Sequence, residues 1–157
     1  MINMKTSYCE DVSITRTEPM DILEATGRVW VTVNTHNLLC FSSNFSEFIS
    51  AIKRPEIQVS FSLMTTECAI NKEDNPIKRI ESFRKSQTPN HCVLTGTVTE
   101  IIRKQYSVTT GKNVEVLDKF YGIVDCGIHV VVELFPSKNF HVGDIITAEG
   151  RLDICII

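Results

Sequence analysis

The C-terminal run from Phe140 to Ile157 constrains this chain more than any other stretch. Val142-Gly143-Asp144 has turn chemistry, Ile145 to Ala148 follows as an apolar segment of β-formers, and Gly150 interrupts it before a second apolar stretch closes the chain. A glycine inside such a segment marks a bend or a close backbone approach. The pattern predicts the last strands of a small, strongly bent β-structure rather than a tail. Proline is sparse at 5 residues, so strands are favoured over a helical bundle.

Upstream, Arg28 to Val33 and Leu38 to Phe41 read as a hairpin around Asn34-Thr-His-Asn37. A helix capped by Ser46 is expected next, with Phe45, Phe48, Ile49 and Ile52 on one face and Pro55 as its stop. Ile57-Gln-Val-Ser-Phe-Ser-Leu63 alternates at period two, the mark of a sheet with one buried face. Ile77, Ile80 and Phe83 at spacing three predict a short helix over 76–86, with Lys78, Arg79, Arg84 and Lys85 outside. Cys92 to Ile102 reads as a long strand containing Gly96, 107–113 as a loop, and Val114 to Leu117 as a short edge. Tyr121 to Leu134 reads as two strands around Asp125-Cys-Gly127. Three segments follow: an irregular arm over 1–24 with a short strand at Val12 to Thr15, an α+β layer over 25–90, and a β-rich unit over 91–157. The last two form one compact body.

No leader-like apolar segment opens the chain and no run of about 18 apolar residues crosses it. Both features predict a cytoplasmic protein with no membrane partner, whose six cysteines stay reduced. Cys40, Cys68, Cys92, Cys126 and Cys155 sit among strand-formers and are expected to pack as small hydrophobes, as Trp30 is expected to join the core.

The motifs exclude more than they assign. His91-Cys92 and Cys126…His129 offer loose pairs where structural zinc needs four convergent ligands. There is no Gly-x-Ser-x-Gly elbow, and Thr109-Thr-Gly-Lys112 lacks the upstream glycine of a phosphate loop. Neither an enzyme nor a cofactor is implied.

Residues 91–157 resemble an OB-fold. The likeness rests on the glycine-containing first strand Cys92 to Ile102, the central hairpin Tyr121 to Leu134, and the ending Val142-Gly-Asp144…Glu149-Gly150. The connection 136–141 is too short for the helix such barrels often carry, so that helix is absent or 76–86 replaces it. The resemblance implies an α+β, mainly antiparallel β fold: an OB-like barrel in the C-terminal half, packed with an N-terminal hairpin–helix–strand layer.

Charge is unevenly distributed along a chain of net charge −3. Residues 1–71 carry 5 Lys/Arg against 8 Asp/Glu, 72–112 carry 8 against 4, and 113–157 carry 3 against 7. The acidic ends predict a non-enzymatic protein-binding module (an inhibitor, adaptor or toxin-neutralising immunity-type protein) that meets a basic protein through Asp144, Glu149 and Asp153. The alternative is a single-stranded nucleic-acid binder using Arg103, Lys104, Tyr106 and Lys112, with Phe83, Phe120 and Tyr121 as interleaved aromatics.

Overall fold

The computed structural model describes residues 8–84, 90–134 and 139–157. Its strands are β1 Cys9–Pro19, β2 Gly27–Val33, β3 His36–Ser42, β4 Ile57–Ile70, β5 Arg79–Phe83, β6 His91–Thr110, β7 Asn113–Asp125, β8 His129–Glu133 and β9 Ile145–Ile156. A single helix, α1 Phe45–Ala51, lies between β3 and β4. The fold is therefore mostly β. No helix among the described residues is long and apolar enough to cross a membrane.

The strands join in the order β1-β2-β3-β9-β4-β8-β7-β6-β5, and two further pairings, β1 with β4 and β6 with β9, close rings of hydrogen bonds. One ring runs β1-β2-β3-β9-β4 and the other β6-β7-β8-β4-β9, so β4 and β9 serve both. The expected boundary at residue 90 is thus crossed by β4, which pairs in parallel with β8 and antiparallel with β9.

The two rings repeat one connectivity. A three-strand meander leads to a strand that returns to pair with the first: β1 with β4, and β6 with β9. The third strand of each meander runs parallel to the other unit's closing strand, β3 to β9 and β8 to β4. Each first strand carries a bulge, between Ile14 and Arg16 and between Val98 and Glu100. Aligning these bulges places Val12 on Gly96, whose partners are Ile57 and Ile146. The rung of the β4–β9 ladder that then maps onto itself is Leu63 opposite Leu152.

Alternation fills the interior. Ile57, Val59, Phe61 and Leu63 of β4 are buried, as are Ile146, Ala148, Leu152 and Ile154 of β9. Gly150 holds the intervening inward position. A Cβ there would collide with the Met64 carbonyl, so only glycine lets β4 and β9 approach beside the bulge between Thr65 and Glu67. Gly150 therefore does not split the C-terminal run: β9 is one strand.

Several expectations are corrected. The arm over 1–24 contains a full strand, because β1 finds partners on both sides, β2 and β4. The segment with Ile77, Ile80 and Phe83 is no helix. Residues 79–83 form β5 along β6, where period two buries Ile80 and leaves Phe83 exposed. Lys85 lies outside the described residues. Asn44, not Ser46, stands at the N-cap of α1 and makes no side-chain cap bond. Phe45, Phe48 and Ala51 face the core while Ile49 and Ile52 are exposed, since seven residues bury only one narrow stripe. The loop over 107–113 is strand almost throughout, reduced to a Gly111-Lys112 turn between β6 and β7. Trp30 faces outward on β2 under the Arg16 guanidinium, 4.5 Å from its ring centroid. Cys40, Cys68, Cys92 and Cys126 are buried, but Cys155 is exposed.

Candidate functional site

The β6–β7 hairpin is far longer than its ring needs. Beyond Tyr121 its β8 partner ends, and every residue from Arg103 to Lys119 is exposed. The result is a two-stranded ribbon projecting from the fold. In an antiparallel ladder, opposed residues share a face. Ile102–Tyr121, Lys104–Lys119, Tyr106–Leu117 and Val108–Glu115 therefore make one face. Arg103–Phe120, Gln105–Asp118, Ser107–Val116 and Thr109–Val114 make the other.

On the first face, two tyrosines and two lysines interlock. The Lys104 ammonium lies 5.7 Å from the Tyr121 ring and the Lys119 ammonium 5.7 Å from the Tyr106 ring. The two hydroxyls are 3.4 Å apart. That hydrogen bond, with partial burial, pushes the Tyr121 phenol up to about 12. Lys119 also reaches Glu133 of β8 at 3.7 Å. On the reverse face Arg103 forks onto Asp118, with Nε and Nη2 donating at 3.2 and 3.0 Å. The guanidinium holds the Asp118 carboxyl below its ordinary value. At the tip, Lys112 adjoins Gly111, whose φ of +62° suits the tight turn.

The structure thus brings Lys104 and Tyr106 together, joins Lys119 and Tyr121 to them, and sets Arg103 behind and Lys112 at the end. Lys119 escaped the sequence reading. Its signal was symmetry about Gly111-Lys112: folding the chain there brings Lys104 against Lys119 and Tyr106 against Leu117.

The three carboxylates of the acidic reading are each engaged within the chain. Asp144 accepts the His141 backbone N–H at 2.7 Å and closes the turn before β9. Glu149 stands 3.7 Å from His91. Asp153 receives Arg151 in a fork at 2.6 and 2.8 Å, and that guanidinium also lies 4.0 Å from the Phe41 ring centroid. Arg151 sits between Glu149 and Asp153 along β9, so the cluster carries a built-in cation.

The remaining chemistry is structural. Burial raises the Cys40 and Cys92 thiols well above their ordinary range and pushes Cys126 up to about 12, which keeps them protonated and unreactive. Cys126 Sγ donates to the Ile128 carbonyl, while His129 turns to Glu10 at 2.9 Å, so this pair does not converge. No cluster of three or more His, Cys, Asp or Glu suited to a metal occurs among the described residues. Beside the ribbon, a shallow 260 Å³ depression is lined by Met64, Lys119, Tyr121, Val131, Glu133 and Asp153, among others. No protein-family model matches this chain, and no curated protein matches it in sequence.

Proposed function

We propose that this protein binds single-stranded nucleic acid along the Tyr106–Tyr121 face of the β6–β7 ribbon. The observation that carries the reading is the interleaving of two tyrosines with Lys104 and Lys119 on one exposed face. Aromatic rings stack on bases of any sequence, and flanking ammonium groups take the phosphates. Over 101–121 there are four Lys/Arg against two Asp/Glu, in a chain whose net charge is −3, so phosphate is steered to the ribbon and away from the rest. The second ring, β6-β7-β8-β4-β9, is read here as an OB-like barrel, with the first layer of strands packed beside it. In OB-folds the second and third strands and the first hairpin form the binding surface, and these correspond to β7, β8 and the ribbon.

A labelled mixed-sequence single-stranded oligonucleotide, followed by fluorescence anisotropy at two salt concentrations, tests this. Micromolar binding that weakens with salt is expected. Tyr106→Ala should weaken it by about fivefold to a hundredfold, the range of one lost base stack. Flat anisotropy at low salt would refute the reading.

The second reading, a non-enzymatic protein-binding module, is favoured by the exposed Val108, Val114, Val116 and Leu117. It places the partner on this ribbon rather than at Asp144, Glu149 and Asp153. In that case nucleic acid fails to bind, and substitutions at Val114 and Val116 abolish partner capture without unfolding the chain.

A further inference from the structure

The loop over 71–78 carries the chain from the end of β4 to the start of β5 across the outer face of the sheet. One rung of the ladders lies beneath it. Ala69 of β4 opposes Thr147 of β9, Thr147 opposes Thr95 of β6, and Thr95 opposes Arg79 of β5. The next rung, Cys68–Ala148–Leu94–Ile80, is buried throughout, so alternation turns the Thr147–Thr95–Arg79 rung outward. Between this floor and Asn71, Glu73, Asn75 and Ile77 of the loop is a cleft of about 390 Å³, large enough for a small molecule. The loop is pinned at both ends. The Asn71 N–H donates to the Ile145 carbonyl at 2.8 Å, and the Lys78 ammonium donates to Asp125 at 2.7 Å.

The floor has more donors than the chain has acceptors for. Asn71 Nδ2 donates to Thr147 Oγ1 at 2.9 Å, and the Thr147 and Thr95 hydroxyls share one bond at 3.1 Å. Two hydroxyls carry two protons and their shared bond uses one. The other O–H therefore has no acceptor among the described residues, although Thr95 is only 3% exposed. Arg79 stands beside it on the same rung. Arg16, Arg28, Arg103 and Arg151 each hold a carboxylate of the chain, whereas Arg79 holds none among the described residues. A guanidinium and a hydroxyl donor side by side suit the two oxygens of a carboxylate. Glu73 lines the same cleft, and its own carboxylate meets no cation among the described residues. A plain anion would satisfy Arg79 and be repelled by Glu73. A molecule carrying both charges satisfies both.

We propose that this cleft binds a small zwitterion of the α-amino-acid class. Its carboxylate lies on Arg79 and the spare hydroxyl of the Thr95–Thr147 pair, and its ammonium group lies toward Glu73. The site contains no residue of the ribbon, so it stands whether or not the ribbon binds nucleic acid.

Nuclear magnetic resonance titration of the full chain tests the proposal, reading the backbone amides of Asn71, Thr95 and Thr147. The probes are alanine, N-acetylalanine, alaninamide and inorganic phosphate. Alanine should shift these amides saturably. N-acetylalanine, which lacks the ammonium group, and alaninamide, which lacks the carboxylate, should each bind about tenfold more weakly or worse, as loss of one charge-assisted contact implies. Arg79→Gln and Glu73→Gln should each weaken alanine by a similar factor. Both residues are exposed, so Tm should hold in either variant. Glu73→Gln should not weaken N-acetylalanine, a difference that a merely structural role for Glu73 would not produce. No saturable shift with alanine overturns the proposal. Phosphate binding as tightly as alanine, and more tightly still in Glu73→Gln, would make the cleft a plain anion site and overturn it too.

Discussion

Replacing Asn90 should destabilise the fold out of proportion to the size of the change. The ring β1-β2-β3-β9-β4 is weakest where β3 meets β9, which share one ladder pair, Phe41 with Asp153. The Asn90 side chain, in a residue only 3% exposed, spans that seam. Its amide nitrogen donates to the Leu39 carbonyl of β3 at 3.2 Å, the Leu152 carbonyl of β9 at 3.3 Å and Ser82 Oγ of β5 at 3.2 Å. Three acceptors converge on one NH2, which fixes the amide orientation. Its Oδ1 is buried without a partner among the described residues. In Asn90→Ala the Leu39 carbonyl keeps the Ser82 hydroxyl as donor and the Leu152 carbonyl keeps its place in the β3–β9 pairing, so the loss is that of the amide's own hydrogen bonds across the seam. Each lost hydrogen bond is worth about 0.5–1.5 kcal/mol, and deleting the unpartnered Oδ1 returns part of that. The net loss should be about 1–2 kcal/mol, or roughly 2–8 °C in Tm for a domain of this size. Asn90→Asp separates this account from simple loss of packing. It presents a carboxylate to three oxygens and should cost about 3 kcal/mol or more at neutral pH. Its folded-state pKa is raised, so stability returns as pH falls and the group protonates. Urea denaturation at pH 7 and pH 5 measures both variants. An alanine variant within about 0.5 kcal/mol of wild type, or an aspartate variant no worse than alanine, refutes the seam.

Two further outcomes are expected. With the Tyr121 phenol pushed up to about 12 by its bond to Tyr106, the ribbon's contribution to stability is complete below the ordinary tyrosine pKa near 10 and declines as pH rises through 12. Ultraviolet titration should show a phenol ionising late in the wild type and earlier in Tyr106→Phe. Equal titrations would remove the hydroxyl pair. Shortening the ribbon by joining Lys104 to Lys119, which face each other in the ladder, through a two-residue turn should leave Tm within a few degrees of wild type, since every residue removed is exposed. The same variant, which lacks Tyr106, should lose oligonucleotide binding. A collapse of Tm would make the ribbon part of the fold.

Period two was the legible part of this sequence. It located the inward residues of β4, the β2–β3 hairpin and the Tyr121-to-Leu134 pair of strands, because one face of each meets the core. It failed at 76–86, where Ile77, Ile80 and Phe83 fit a helical stripe but a five-residue strand needs only Ile80 inward. Short apolar patterns cannot separate the two periods, and pairing with β6 decided the outcome. The ribbon was hidden for a different reason. Ser107 to Asn113 is polar and carries a glycine, so it reads as a loop unless its registry with Val114 to Phe120 is considered. The duplicated connectivity was invisible because the related strands share pattern and not residues: Ile57-Gln-Val-Ser-Phe-Ser-Leu63 overlies Ile146-Thr-Ala-Glu-Gly-Arg-Leu152. Only the isoleucine and leucine positions coincide.

The difference between the two repeated units locates the part of the chain that the fold does not require. In the first unit, β1 and β2 end together at Pro19 and Gly27, and the Asp21 carboxylate closes the connection by accepting the Thr26 N–H at 2.8 Å and its hydroxyl at 3.1 Å. In the second unit the equivalent strands run on through a ladder to Thr110 and Asn113. Both rings close without that extension, because β1–β4 and β6–β9 pairing involves none of it. A segment free of core constraint drifts toward polar composition, since exposed apolar surface invites non-specific association. This one keeps a tyrosine, three valines and a leucine, with Lys104 and Lys119 on the tyrosine's face. Such a composition answers to something outside the ring.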